Sequence, residues 1–136
     1  MQHFERIKWE WRIIRLGDSF FGHQKLLKGN FASGSGRAGW EAPPRHLLEL
    51  VRELTDRCGF RSVAVDIFET VDGRFLINEV QSLFGSYDNS QMYIDGKPGR
   101  YLYHDGEYRF EEGHFNVHNS YKLRVEDFAA LLEKAR

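Results

Sequence analysis

Residues 63–81 read VAVDIFETVDGRFLINEVQ, and how the chain is assembled turns on this stretch. Asp72-Gly73 lies between two apolar runs. An Asp-Gly pair so placed is a strong hairpin signal, expected as a type I′ turn that pairs Val71 with Arg74. Counting outward, 70 faces 75, 68 faces 77, Asp66 faces Glu79 and Ala64 faces Gln81. Directly opposed residues of an antiparallel pair point to one side, with Cβ atoms roughly 5 Å apart. The flanks (Val63, Val65, Ile67, Phe68, Leu76, Ile77) are apolar on both sides, which predicts an interior hairpin rather than a sheet rim. Two like charges set face to face there destabilise the pair unless a pKa rises, a cation is bound, or basic residues such as Arg12 or Lys25 neutralise them. A carboxylate pair with a neighbouring amide oxygen suits Mg2+, which takes one or two carboxylates and completes its octahedron with phosphate and water.

A second hairpin precedes this one. WEWRIIRL (9–16) alternates with period two, and FFGHQKLL (20–27) follows after Gly17-Asp18. Glycine first in a two-residue turn suits type II′ and pairs Leu16 with Ser19. That register sets Ile14 opposite Phe21, Arg12 opposite His23 and Glu10 opposite Lys25. One face then carries Glu10, Arg12, His23 and Lys25, and the other Trp9, Trp11, Ile13, Phe20 and Leu26. The charged face is either a solvated surface whose ion pairs count for little or a floor for a charged ligand. From 44 to 58 the period changes to 3.6, with Leu47, Leu50, Val51, Leu54 and Cys58 in one stripe, prolines before it and Gly59 after it. A second helix is expected over 125–135, with Val125, Phe128, Leu131, Leu132 and Ala135 facing inward, Glu126 and Asp127 near its start, and Lys134 and Arg136 near its end. The class is α+β: an antiparallel sheet built from the hairpins 9–27 and 62–81, with two helices packed on it.

Length and composition bound the function. At 136 residues the chain is one domain's worth. A net charge of −1 gives no electrostatic footprint for nucleic acid or an acidic membrane. The lone Cys58 excludes an internal disulfide and suits a reducing cytosol. MQHFERIKWEWR carries charge where a signal peptide needs an apolar run, so the expected location is cytoplasmic. Residues 29–42 and 82–100 read as long loops, which in a compact domain are more often functional than idle. SGSGRAG (33–39) lacks the Lys-Ser/Thr ending of a P-loop. His104, Glu112, His114 and His118 could be read as a zinc cluster, but HFNVHNS does not read as the helix that would bring its histidines together. Across 93–117 aromatic and polar residues alternate around Asp105-Gly106. This reads as an aromatic-packed β extension, with a peptide- or sugar-binding wall of tyrosines as the sharper alternative.

The order of these parts resembles the ATP-grasp ligases, especially the branch that joins glutamate to protein or peptide ends. EWRIIRLGDSFFG resembles the family's acidic-x-Arg strand, and HQKLLKGNFASGSGRAG its basic strand and glycine-rich Phe-x-Ser loop. The helix follows, then AVDIF and LINEVQ, which resemble the family's strand Asp and its Glu-x-Asn, with Gln81 in place of Asn. The similarity runs over about 8–90, leaving 91–136 as a family-specific β extension and C-terminal helix. It implies that Asp66, Glu79 and Gln81 hold Mg2+ against ATP phosphates. Arg12 would meet the γ-phosphate or acyl phosphate, with Lys25 and Arg37 as further phosphate or substrate contacts. The implied reaction activates a small-molecule or peptide carboxylate as an acyl phosphate, which an amine or similar nucleophile captures. The family's first lobe, with its phosphate-gripping lysine, flap and adenine hinge, has only about eight residues of room before the acidic-x-Arg strand. The resemblance therefore implies the C-terminal half of an ATP-grasp unit, with the other lobe supplied in cis or in trans. The alternative is a non-catalytic module that keeps the half-fold and binds through 93–117.

Overall fold

A computed structural model of the chain describes residues 5–30, 32, 35–84, 91–115 and 120–136. The elements run β1 (Ile7–Leu16), β2 (Ser19–Leu26), β3 (Ala38–Gly39), α1 (Arg45–Cys58), β4 (Ser62–Thr70), β5 (Phe75–Gln81), β6 (Met92–Ile94), β7 (Lys97–His104), β8 (Glu107–Glu112) and α2 (Tyr121–Lys134). They form an α+β protein with a mostly antiparallel sheet in the order β5-β4-β1-β2-β7-β6. β3 pairs with β2, and β8 pairs with β7. Among the described residues no helix is long and apolar enough to cross a membrane.

The first hairpin has the register expected of it, with Leu16 opposite Ser19, Arg12 opposite His23 and Glu10 opposite Lys25. Gly17 takes φ +62 while Asp18 stays at negative φ, as a type II′ turn requires.

The second hairpin departs from expectation twice, and the departures cancel. At Asp72-Gly73 only Gly73 has positive φ, so the turn is not type I′. Instead 71–73 form a three-residue loop closed by Thr70 N–H on Arg74 O (2.9 Å) and Gly73 N–H on Thr70 O (3.0 Å). Thr70 Oγ1 stabilises this form by accepting from Arg74 N at 2.9 Å. The loop slips the near pairs by one residue, to Glu69 with Phe75, Phe68 with Leu76 and Ile67 with Ile77. A β-bulge at Asn78 then restores the count, so that Asp66 faces Glu79 and Ala64 faces Gln81. The hairpin is also not wholly interior: β4 is flanked on both sides, but β5 is the edge strand, and Ile77, Asn78, Glu79 and Val80 are exposed. Type I′ geometry does occur at Asp105-Gly106 (φ 48 and 79) and at Asp95-Gly96 (φ 51 and 76), which join β7 to β8 and β6 to β7. The loop expected over 82–100 therefore contains β6 and the start of β7, while 85–90 lie outside the described residues.

Each face of the sheet has its own core. On one, Trp11, Ile13, Phe20, Val63, Val65 and Ile67 pack against Leu47, Leu48 and Val51 of α1. The indoles of Trp9 and Trp11 both donate to Glu69 Oε2, at 2.7 and 2.8 Å. The buried stripe of α1 is Leu47, Leu48, Val51 and Thr55, rotated from the expected one, and Leu50 and Cys58 are exposed. Arg15 explains the rotation: its buried guanidinium donates to Thr55 Oγ1 (2.7 Å) and Asp56 Oδ1 (2.6 Å), drawing a polar edge of the helix onto the sheet. The tyrosines of β7 and β8 (Tyr101, Tyr103, Tyr108) pack against this core rather than standing free as a wall. On the other face Ile14, Leu16, Phe21, Ala64 and Met92 form a second core, joined by Phe84, Phe115 and Leu123.

α2 corrects a further expectation. It starts at Tyr121, and Val125, Phe128, Leu131, Leu132 and Ala135 are all exposed. The side that meets the sheet is Leu123 together with Asp127, which takes a two-pronged hydrogen bond from Arg61 (2.9 and 2.7 Å).

Candidate functional site

The second face is apolar at one end and charged at the other. Register brings four side chains into one row across four adjacent strands: His23 on β2, Arg12 on β1, Asp66 on β4 and Glu79 on β5. In the next row Lys25 stands beside Glu10. Strand alternation puts all six on one side.

Asp66 is the hub and is only 2% exposed. Arg12 grips it through Nε to Oδ1 and Nη2 to Oδ2, both 2.8 Å. Lys25 Nζ adds a bond to Oδ2 at 2.9 Å and bridges to Glu10 Oε1 at 2.6 Å. Asn78 Nδ2 donates to Glu10 Oε2 at 3.1 Å, so the bulged residue is tied into the network. Burial alone would raise the Asp66 pKa. The hydrogen bonds and charges of Arg12 and Lys25 outweigh it, and Asp66 lies below the usual carboxylate range. Arg12 is shifted up, chiefly by its bond to Asp66. His23 is pushed down to about 4 by burial and by the neighbouring Arg12 and Lys25, so it is neutral near pH 7. Trp40 lies 5.6 Å from the His23 ring and 5.1 Å from Tyr93, an aromatic border to the row.

Of the residues singled out from sequence, Arg12, Lys25, Asp66 and Glu79 come together on this face. Glu79 is exposed and forms no hydrogen bond or ion pair among the described residues. Gln81, opposite Ala64, stands one row further along the same side and is partly exposed. Arg37 does not join the row: it is exposed and donates to Leu27 O at 3.3 Å. The pair Asp66/Glu79 is thus not a bare double negative, because one of its members is fully engaged by cations. The glycine-rich loop and the histidine group extend in part outside the described residues, at 33–34 and 118. Glu10 and Asn78 complete the network. Glu10 was legible as part of the charged face, but nothing in the sequence signalled that Asn78 would be bulged onto it.

Among the described residues no three His, Cys, Asp or Glu side chains converge as a metal cage. Of the donors that the resemblance implies for Mg2+, Glu79 is open to solvent and Gln81 partly so, while both oxygens of Asp66 are taken by Arg12 and Lys25. The chain matches no family model, no curated protein and no solved structure. What fold and site define is therefore a class: an α+β protein whose antiparallel sheet carries a row of paired charges on one face.

Proposed function

We propose that this chain is the ATP- and Mg2+-binding C-terminal half of an ATP-grasp carboxylate–amine ligase. The observation that carries the reading is the row His23–Arg12–Asp66–Glu79 with Lys25 beside it, in which cations and opposed carboxylates share one face. Phosphoryl transfer asks mainly for positioning and charge neutralisation, and these are the parts for it. When bound, Mg2+ would neutralise phosphate charge from Asp66 and Glu79, with Gln81 as an additional oxygen donor. Arg12 and Lys25 would turn part of their hydrogen bonding from Asp66 to phosphate oxygens, Arg12 at the transferred group. A substrate carboxylate oxygen then bonds to the γ-phosphorus as the bond to ADP breaks. The amine displaces phosphate from the acyl phosphate and loses a proton. The chain's own residues hold and orient charge, and none acts as a covalent nucleophile.

The test is an NMR titration of the labelled chain with ATP and Mn2+ in place of Mg2+. Paramagnetic broadening is expected at residues 66, 79 and 81, and only when nucleotide is present. In Glu79→Gln the nucleotide-dependent affinity is expected to fall about tenfold or more. Equal broadening in Asp66→Asn plus Glu79→Gln would overturn the site. A non-catalytic module, in which the row is a self-neutralised structural network, would show no nucleotide-dependent metal binding at all.

A further inference from the structure

Two cations already share Asp66. Oδ1 accepts from Arg12 Nε at 2.8 Å. Oδ2 accepts twice, from Arg12 Nη2 at 2.8 Å and Lys25 Nζ at 2.9 Å, which uses both of its lone pairs. A divalent metal bound here would be a third cation on one carboxylate. At Oδ2 it would stand about 2 Å from the oxygen, on ground the ammonium holds. Positive charges that close repel one another, so ammonium and metal exclude each other at Oδ2.

The two cations are not held alike. Arg12 commits a two-pronged grip to this one carboxylate, the strong geometry for a guanidinium. Lys25 has a second anchor: Glu10 Oε1 lies 2.6 Å from Nζ, closer than Asp66. Its ammonium is a compact charge on a flexible stem with three donors, so a small pivot takes it off Asp66 while it stays paired. Glu10 is buried, and its other oxygen is held by Asn78 Nδ2 at 3.1 Å. Lys25, Glu10 and Asn78 therefore form a second row beside that of Arg12, Asp66 and Glu79. The bulge makes this possible, because it lets two successive residues of β5 serve one face, Asn78 meeting Glu10 and Glu79 standing opposite Asp66.

We propose that Lys25 is an internal cation that closes this site to free divalent metal, and that Glu10 is the positioning residue that receives it when the site opens. With Lys25 on Asp66 the charge of that carboxylate is already spent, and metal alone is kept out. An incoming polyphosphate draws the ammonium away, Glu10 keeps it paired, and Oδ2 is released. Metal binding then depends on the anion, although Glu10 itself touches neither. The inference rests on the Asp66–Glu79 metal reading given above, but its deciding measurement uses no nucleotide.

The test is a titration of the full 15N-labelled chain with Mg2+ at constant ionic strength, without nucleotide, read at the amides of residues 66 and 79. Lys25→Met is expected to bind Mg2+ at least about tenfold more tightly than wild type. Lys25→Gln is a second neutral variant that should show the same gain, and it decides the question should the first not fold. Both will melt lower, since each strips a buried carboxylate of its ammonium, but loosened packing does not produce tighter metal binding. Arg109→Met, which removes the same charge from an exposed position on β8, should match wild type. Glu10→Gln should weaken binding several-fold in wild type and by less than about twofold in the Lys25→Met background, as expected of a residue that acts through Lys25. The inference fails if the folded Lys25 variants bind no more tightly than wild type or if Arg109→Met gains as much. An equal effect of Glu10→Gln in both backgrounds would remove Glu10 from its role. A wild type that takes up metal with ATP, beside Lys25 variants that gain nothing, would overturn this inference and leave the ligase reading. Lys25 variants that gain metal affinity in a chain with no response to ATP would do the reverse.

Discussion

At the scale of the residue, Asp66 and Glu79 face each other but are not equivalent. Asp66 holds two cations below the surface, so Asp66→Asn leaves Arg12 and Lys25 without their shared anion and should cost about 3 kcal/mol of stability. Glu79 is exposed and unpaired among the described residues, so Glu79→Gln should stay within about 0.5 kcal/mol. Chemical denaturation of the two variants measures the difference, and equal losses would contradict the geometry. His23 gives a pH signature. Its folded pKa, about 4, lies below its ordinary 6.5, so the unfolded chain takes up a proton first as pH falls. Stability is then fully present above pH 6.5 and declines between 6.5 and about 4, by roughly 3 kcal/mol. Asp66 is depressed from its ordinary 3.8, so its contribution is lost only at lower pH, and the two windows are separable. Flattening of the decline in His23→Gln would assign it, and an unchanged curve would exclude His23.

At the scale of the element, α1 and α2 make opposite cases. α1 buries Leu47, Leu48 and Val51, so Leu47→Ala should cost about 3 kcal/mol through the cavity it leaves. α2 buries none of its residues, so Phe128→Ser or Leu132→Ser should each change stability by less than about 0.5 kcal/mol. A large loss in either would mean that this side of the helix is covered in solution. Apart from the apolar contact of Leu123, what fastens α2 is the Arg61–Asp127 pair, and that pair depends on the β1–β2 turn. Gly17 has φ +62, and a Cβ there would lie 2.4 Å from Asp127 Oδ1, the group that Arg61 grips. Gly17→Ala combines backbone strain with displacement of that carboxylate, a loss of about 1–3 kcal/mol. Amide exchange should show it as loss of protection in α2 beyond that in the sheet, while Asp127→Asn should loosen α2 and leave the turn protected.

At the scale of the whole molecule, the order β5-β4-β1-β2 turns four separate sequence positions into one row, and it leaves β5 at the rim. The rim position explains why Glu79 is open to solvent while Asp66, one strand inward, is sealed and neutralised. The sequence by itself determined the two hairpins, the helix over α1 and the charged face of β1 and β2, because alternation and turn chemistry act over a few residues and need no knowledge of distant neighbours. It also brought Asp66 opposite Glu79, through a turn type that does not form, since the Thr70–Arg74 closure and the Asn78 bulge offset each other. Only the tertiary structure decided what surrounds those carboxylates. That Arg12 would take Asp66 as its partner depends on β1 lying between β2 and β4, a pairing 54 residues apart in sequence. The rotation of α1 by Arg15, the edge position of β5 and the outward apolar side of α2 have the same origin. Periodicity reports that a segment has an apolar side, but which side is buried depends on what the rest of the chain places against it.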